Sequence, residues 1–352
     1  MAAVARVIER QQFILGDEVA ALERAVAELS RTRYAIGCAS GTDALLLSLR
    51  TLDLKPGDEV ITTAFTFFAT AGTIHNTGGR PVFADIEAGS FNLDPDAVEA
   101  AITPRTRAIV VVHLFGQMAR LEAIQAIAAR HGLPLIEDAA QAIGARRRIG
   151  AEWRLAGETG YAGTLSFFPS KNLGGWGDGG MILTQDEALA TRLRRLRTRG
   201  GARQYHHDEV GYNSRLDTLQ AAVLLAKLPH LAGWSEARRT RALRYSEAFA
   251  GLDPVRVPVI EPENEHIFHQ YTLRVQRRDA LVEHLKGRGI GCAVYYPVPL
   301  HLQPCFADLG YRAGSLPRTE AASREVISLP LYPELGGEAQ RAVVDAVRGF
   351  YT

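Results

Sequence analysis

Two residues of this 352-residue chain stand where a side chain could react rather than merely face water, Lys171 and Asp138. Lys171 sits in Ser166-Phe-Phe-Pro-Ser-Lys-Asn-Leu-Gly-Gly175, and Gly177-Asp-Gly-Gly180 follows. Apolar Leu165–Phe168 leads in and Gly180–Leu183 leads out, which predicts a tight loop between two buried strands. Burial disfavours a charged ammonium, and a neutral amine is a nucleophile that forms a Schiff base with an aldehyde or ketone. On this stretch alone, a lysine snorkelling from a loop reads equally well. Asp138 closes Leu133-Pro-Leu-Ile-Glu-Asp138, at the strand end where an open α/β sheet collects its ligands. Taken alone it is more readily a helix cap. The small residues after it, Ala139 to Gly144, leave room for a flat ligand, with Gln141 as a neutral hydrogen-bonding group.

Ser40-Gly41-Thr42-Asp43 leads into an apolar helical pattern and resembles a capping box. Small residues there let backbone N–H groups approach an anion, although an ordinary capped helix explains the same residues. Phe67 or Phe68 offers a flat apolar face. An amine for an aldehyde, a carboxylate for a protonated ring nitrogen, an anion site and a flat surface together describe one ligand, pyridoxal 5′-phosphate.

The elements that must position these residues alternate. Helical spacing is predicted over 17–30, followed by a strand at 34–38 and a helix over 43–50. Strands are expected at 59–63, 81–85, 107–112 and 133–138. Helices are expected from near Phe65, over 121–130 and over 187–199. Such alternation predicts an α/β fold with a mostly parallel sheet. A helix over 219–231 precedes a shift to Pro and acidic residues near 253–263, read as passage from a large domain (1–250) into a smaller C-terminal α/β domain (251–352). In the latter, 271–275 is strand-like, and helices cover 278–286 and 337–350.

Bulk properties narrow the classes. With 47% hydrophobic and 22% charged residues the chain can bury a sizeable core. A net charge of +1 gives no reason to expect nucleic acid or an anionic membrane as partner, and no apolar run reaches membrane-span length. The N-terminus lacks a signal peptide's apolar core. Three cysteines without CxxC spacing argue against a disulfide framework or structural zinc and fit a reducing cytoplasm. Gly175-Trp-Gly-Asp-Gly-Gly180 formally matches the dinucleotide fingerprint, but it follows a lysine loop and precedes a strand, so a nicotinamide enzyme is rejected. The basic run 189–199 reads as a solvated helix face. His206-His207-Asp208, His266 and His269 read as loop or packing residues rather than metal ligands.

The chain resembles the DegT/StrS-type sugar aminotransferases, fold-type I pyridoxal-phosphate enzymes, over nearly its whole length. The most specific pieces are Ala39–Ala44, Phe65–Thr70, Ile136–Gln141, Ser166–Asn172, Gly211–Arg215 and Tyr295–His301. The resemblance implies that Lys171 forms the Schiff base, Asp138 pairs with the pyridine nitrogen, Gln141 contacts the ring's phenolic oxygen and Phe67 stacks on the ring. It also implies that the turn of Gly41, Thr42 and Asp43, with Ser166, holds the phosphate. Asn213 would reach the phosphate of a partner subunit, which makes a homodimer with shared sites. Arg215, Tyr295 and Tyr296 would be substrate-side residues from that same neighbouring chain. Tyr295-Tyr296-Pro297 replaces the frequent His-Tyr-Pro, and Asp178 stands where Glu is frequent. Some relatives carry histidine for the lysine and act as dehydratases; Lys171 argues against that. The implied reaction moves an amino group from L-glutamate to a nucleotide-linked ketosugar at C3. A 4-ketosugar, a keto-cyclitol or a noncatalytic regulatory role are the alternatives.

Overall fold

The computed structural model describes residues 1–352 except 202 and 204. Its centre is a seven-stranded sheet. In chain order the strands are β1 (Tyr34–Cys38), β2 (Glu59–Thr63), β3 (Arg80–Ala84), β4 (Thr106–Val112), β5 (Leu135–Asp138), then, after a hairpin of β6 (Arg146–Ile149) and β7 (Glu152–Leu155), β8 (Ala162–Ser166) and β9 (Gly180–Thr184). Their spatial order is β1-β9-β8-β5-β4-β2-β3. Only β9 opposes the rest: it pairs antiparallel with both β1 and β8, while β2–β3, β2–β4, β4–β5 and β5–β8 are parallel. The expected mixed, mostly parallel sheet is therefore present. Ala108–Val112 is buried throughout, as a β-branched run covered on both faces should be.

Four helices lie in the first 76 residues: α1 (Ala2–Arg10), α2 (Asp17–Leu29), α3 (Gly41–Arg50) and α4 (Ala69–Asn76). On α2, Val19, Leu22 and Val26 recur at helical spacing and are buried, as the sequence predicted. Helix α3 starts at Gly41, two residues earlier than expected, because the Ser40 hydroxyl accepts from the Asp43 N–H at 3.0 Å and caps it. A Cβ on Gly41 would lie 2.6 Å from Ser166 Cβ, so only glycine lets the helix start this close to the end of β8.

A second apolar core surrounds the three-stranded sheet β10 (Val255–Arg256), β12 (Tyr271–Val275) and β13 (Val326–Leu329). It gathers Ala242, Tyr245 and Phe249 from a helix over Leu231–Phe249 that the sequence reading did not anticipate. The short strand β11 (Asn264–Glu265) instead pairs with β6, so residues 264–270 strap back across the main sheet. The strap is pinned by Ile267 N–H to Gly116 C=O at 3.0 Å. Residues 293–300 return in the same way: Ala293 and Ser328 exchange backbone hydrogen bonds, and Leu300 N–H donates to Ala64 C=O at 2.9 Å. No helix among the described residues is long and apolar enough to cross a membrane.

Candidate active site

Every parallel strand of the main sheet points its C-terminal end to one edge, where β9 begins. Asp138 ends β5 and Ser166 ends the adjacent β8. Residues 167–179 link β8 to antiparallel β9 and carry Lys171, so the predicted loop between buried strands is found. The loop is held by its own backbone. Phe167 N–H donates to Gly179 C=O, Lys171 N–H to Phe168 C=O and Gly175 N–H to Phe167 C=O, each at 2.8 Å. A Cβ on Gly174 would come within 2.3 Å of the Pro169 carbonyl oxygen, so this turn closes only around a glycine.

Lys171 and Asp138 face one cavity of about 410 Å³. Gly41, Thr42, Phe67, Gln141, Ser166, Tyr295 and Tyr296 also line it. Burial lowers the Lys171 pKa to about 8, with Asp138 opposing that shift. Burial raises Asp138, against the opposing pull of the Ala140 N–H, the Thr70 hydroxyl and Lys171. Thr70 Oγ1 donates to Asp138 Oδ2 at 2.9 Å and Ala140 N–H to Oδ1 at 3.2 Å. Because the Thr70 proton is committed there, the 3.1 Å contact with Thr66 must be donated by Thr66 Oγ1. Thr70, at the start of α4, was not singled out from sequence.

Glu137 precedes Asp138 and serves the opposite face. It is fully buried and accepts from His113 Nε2 and from the N–H groups of Gly157, Thr159 and Gly160 at 2.7–3.1 Å. Burial works to raise its pKa, but these partners outweigh it and hold the carboxyl below its usual range. Glu137 thereby fixes the strand that presents Asp138.

Gln141 is nearly saturated. Its Oε1 accepts from Phe115 N–H at 2.8 Å and its Nε2 donates to Tyr296 Oη at 3.0 Å, leaving one amide hydrogen for a ligand. Phe67 lines the cavity and is 59% exposed, whereas Phe68 stacks on Phe306 at 5.7 Å, which decides between the two candidate flat faces.

Three expectations need correction. Asp43 does not line the cavity: its carboxylate accepts from Ser214 Oγ at 2.7 Å and only its N–H joins the cap. Tyr295 and Tyr296, expected to serve a neighbouring chain's site, line the cavity of their own chain, because the return of 293–300 lays Tyr296 edge-on to Phe65, with 6.0 Å between centroids. His269, read as a packing residue, also lines the cavity, with Nδ1 bonded to Asn172 Oδ1 at 3.1 Å, while His266 does pack, stacked 3.9 Å from Phe268. Asn213 and Arg215 stand apart from Lys171. They line a neighbouring cleft of about 590 Å³ that meets the cavity at Ser40 and Asp178. Gln270 also lines the cavity and was missed, since no local pattern marks a residue that only tertiary contact brings in, whereas Ser170 lines it as the neighbour of Lys171 in the predicted loop.

A sequence model described as the DegT/DnrJ/EryC1/StrS aminotransferase family matches residues 1–348. This chain belongs to that family. It is 52% identical to a protein of Geobacillus stearothermophilus named as a pleiotropic regulatory protein, over 98% of this chain and 92% of the relative. It is 45% identical to the UDP-N-acetyl-3-dehydro-alpha-D-glucosamine 3-aminotransferase of Acidithiobacillus ferrooxidans, with the same coverage. The solved structure of S. venezuelae DesV in complex with a ketimine intermediate superposes with a TM-score of 0.96 at 44% identity, covering 99% of this chain and 93% of DesV. The family's aminotransferases depend on pyridoxal 5′-phosphate. The residues present fit that group. A buried carboxylate pushed toward its neutral form calls for a cationic partner, the lysine is tuned toward its free amine, and the α3 N-terminus offers N–H groups beside a cradle that a Cβ at Gly41 would fill.

Proposed function

We propose that this family member transfers an amino group from L-glutamate to C3 of a nucleotide-linked ketosugar, with both half-reactions in the Lys171–Asp138 cavity. The observation that carries the reading is one cavity shared by a lysine with its pKa lowered to about 8, a buried carboxylate and the start of α3. Residues 1–250 hold the cofactor, and residues 251–352 supply the wall that carries Tyr295 and Tyr296.

Bound pyridoxal 5′-phosphate supplies an aldehyde to take up the amine and a ring that draws electrons from the substrate carbon. Lys171, about one-tenth neutral at pH 7, provides the covalent anchor and then moves a proton at Nζ between neighbouring carbons. Asp138 stays ionised opposite the ring nitrogen, aimed by Thr70 and Ala140. The Gly41 and Thr42 N–H groups and the Ser166 hydroxyl bind the phosphate, Phe67 covers one ring face, and the remaining Gln141 hydrogen meets the ring oxygen. Tyr295 and Tyr296 offer hydroxyls and flat faces to the sugar. Asn213 and Arg215 complete the site of a second copy in a homodimer, which their position in the adjoining cleft supports. Three cysteines without a disulfide suit work in a reducing cytoplasm.

The first acceptor is a UDP-linked N-acetylated 3-keto uronic acid and the second a dTDP-linked 3-keto-6-deoxyhexose, for envelope polysaccharide or glycoconjugate synthesis. The 3-aminotransferase relative supports amination at C3. Single turnover of the amine-charged enzyme with 3-keto and 4-keto nucleotide sugars tests this. Amination of the 4-keto sugar alone rejects C3, and preference for a free keto-cyclitol rejects the nucleotide. The name of the Geobacillus relative favours a second reading, a regulator that binds the cofactor or a sugar without turnover. Failure of any amino acid or ketosugar to change the holoenzyme's absorbance would favour it.

A further inference from the structure

Beside the Lys171 cavity lies a second cleft of about 330 Å³, and the two share Ser170, His269, Gln270 and Tyr295. Its floor carries Arg238, from the helix Leu231–Phe249, only 8% exposed. Among the described residues no carboxylate lies within ion-pair distance of the guanidinium, although Glu334 is near enough to favour its charge, against the larger effect of burial. Nη1 donates to three carbonyls, those of Leu331 at 2.8 Å, His269 at 3.3 Å and Phe268 at 3.4 Å. Nε–H is buried with no acceptor among the described residues, and Nη2 donates to none of them. A buried guanidinium left without a counter-anion costs several kcal/mol, and planar, bidentate recognition of a carboxylate is what its free edge suits. Gln270, at the junction of the two clefts, adds a buried Oε1 that is also without a partner among the described residues. Neither group is used in the chemistry derived above.

We propose that the cleft floored by Arg238 is a carboxylate subsite for one of the two substrates that take turns at Lys171. The inference rests on the transaminase reading of the adjoining cavity. Lys171 lines only the first cavity and Arg238 only the second, so the ligand this subsite suits carries its carboxylate several bonds from the reacting carbon. The distal carboxylate of a dicarboxylic amino donor meets this requirement. The C6 carboxylate of a uronic acid acceptor has the same chemistry, and the two half-reactions separate them.

The test uses the holoenzyme and follows cofactor absorbance during each half-reaction. In the donor arm, wild type should prefer L-glutamate over L-norvaline, which lacks the distal carboxylate, by roughly 10- to 100-fold in kcat/KM, the range of a hydrogen bond to a charged group. Arg238→Met should collapse that ratio toward one, and Arg238→Lys should restore part of it. In the acceptor arm the same comparison is made between a keto uronic acid and the matching neutral ketohexose, each on UDP. Collapse of the preference in the donor arm assigns the subsite to the amino donor, and collapse in the acceptor arm assigns it to the uronate. If wild type shows no carboxylate preference in either arm, or if Arg238→Met slows charged and neutral substrates equally, Arg238 only ties its three carbonyls and the inference falls. Should Arg238→Met fail to fold, the wild-type ratios and Arg238→Lys still decide. A holoenzyme that reacts with no amino acid and no ketosugar would instead overturn the transaminase reading itself.

Discussion

Replacing Asp138 by asparagine should affect the cofactor-free and cofactor-loaded protein in opposite ways. In the free protein the carboxylate is 5% exposed and burial raises its pKa, so its ionised form is a burden on the fold near neutral pH. A carboxyl raised above its unfolded value contributes stability below about pH 4, and that contribution is lost as pH rises through the folded value. Asparagine removes the burden and keeps the geometry: its oxygen can take the Ala140 N–H, and the Thr66–Thr70 hydroxyl chain can reverse to accept from its amide. Cofactor-free Asp138→Asn should therefore melt no lower than wild type at pH 7. The loaded protein loses an ion pair in a water-poor site, worth about 3–5 kcal/mol, or roughly two to four orders of magnitude in affinity. Pyridoxamine 5′-phosphate is the suitable titrant, because it carries no aldehyde and reports the pairing without the bond to Lys171. Binding as tight as wild type, or near-normal transamination, would refute the pairing. A large fall in the melting temperature of the cofactor-free variant would refute the claim that the buried charge opposes folding.

Lys171→Met should abolish borohydride-trapped cofactor and raise the melting temperature of the cofactor-free protein near pH 7; because an amine depressed to about 8 costs stability when protonated, the gain should vanish above about pH 10. Cofactor trapped on the variant would move the anchor to another lysine. Gly41→Ala forces apart atoms that would meet at 2.6 Å, so cofactor affinity should fall by about 1–3 kcal/mol in an equilibrium titration, and an unaltered titration would remove the α3 N-terminus from the site. Lys171→Ala and Asn213→Ala homodimers should each turn over poorly while mixed dimers regain activity, and a fully active monomer by light scattering would sink the shared site.

Much of the site was legible because its parts are local. The lysine loop is bracketed by two apolar runs and closed by its own backbone, and Asp138 follows directly from the end of a strand. What escaped was set by contacts between distant segments. The helix Leu231–Phe249 buries residues 231, 238, 242, 245 and 249, and the stripe has an arginine at its second position, so no apolar repeat marks its first half. The β6–β7 hairpin likewise reads as Arg146-Arg147-Arg148, although Arg147 is buried between Glu122 and Glu261. His269 and Gln270 reach the cavity only because the strap from β11 is pinned to Gly116, and no spacing in the sequence records that.

The alternation at the end of β5 makes its alignment self-checking. Glu137 and Asp138 are successive residues on opposite faces, one clamped by His113 and the 157–160 turn, the other facing the cavity. A slip of one residue would trade them, sending a longer carboxylate toward the ligand and a shorter one into a pocket it cannot fill. The chain between Arg130 and Leu135 should thus tolerate exchange of residue type at exposed His131, though not at Gly132, whose φ of 62° favours glycine, yet reject a single insertion or deletion as completely as loss of Lys171.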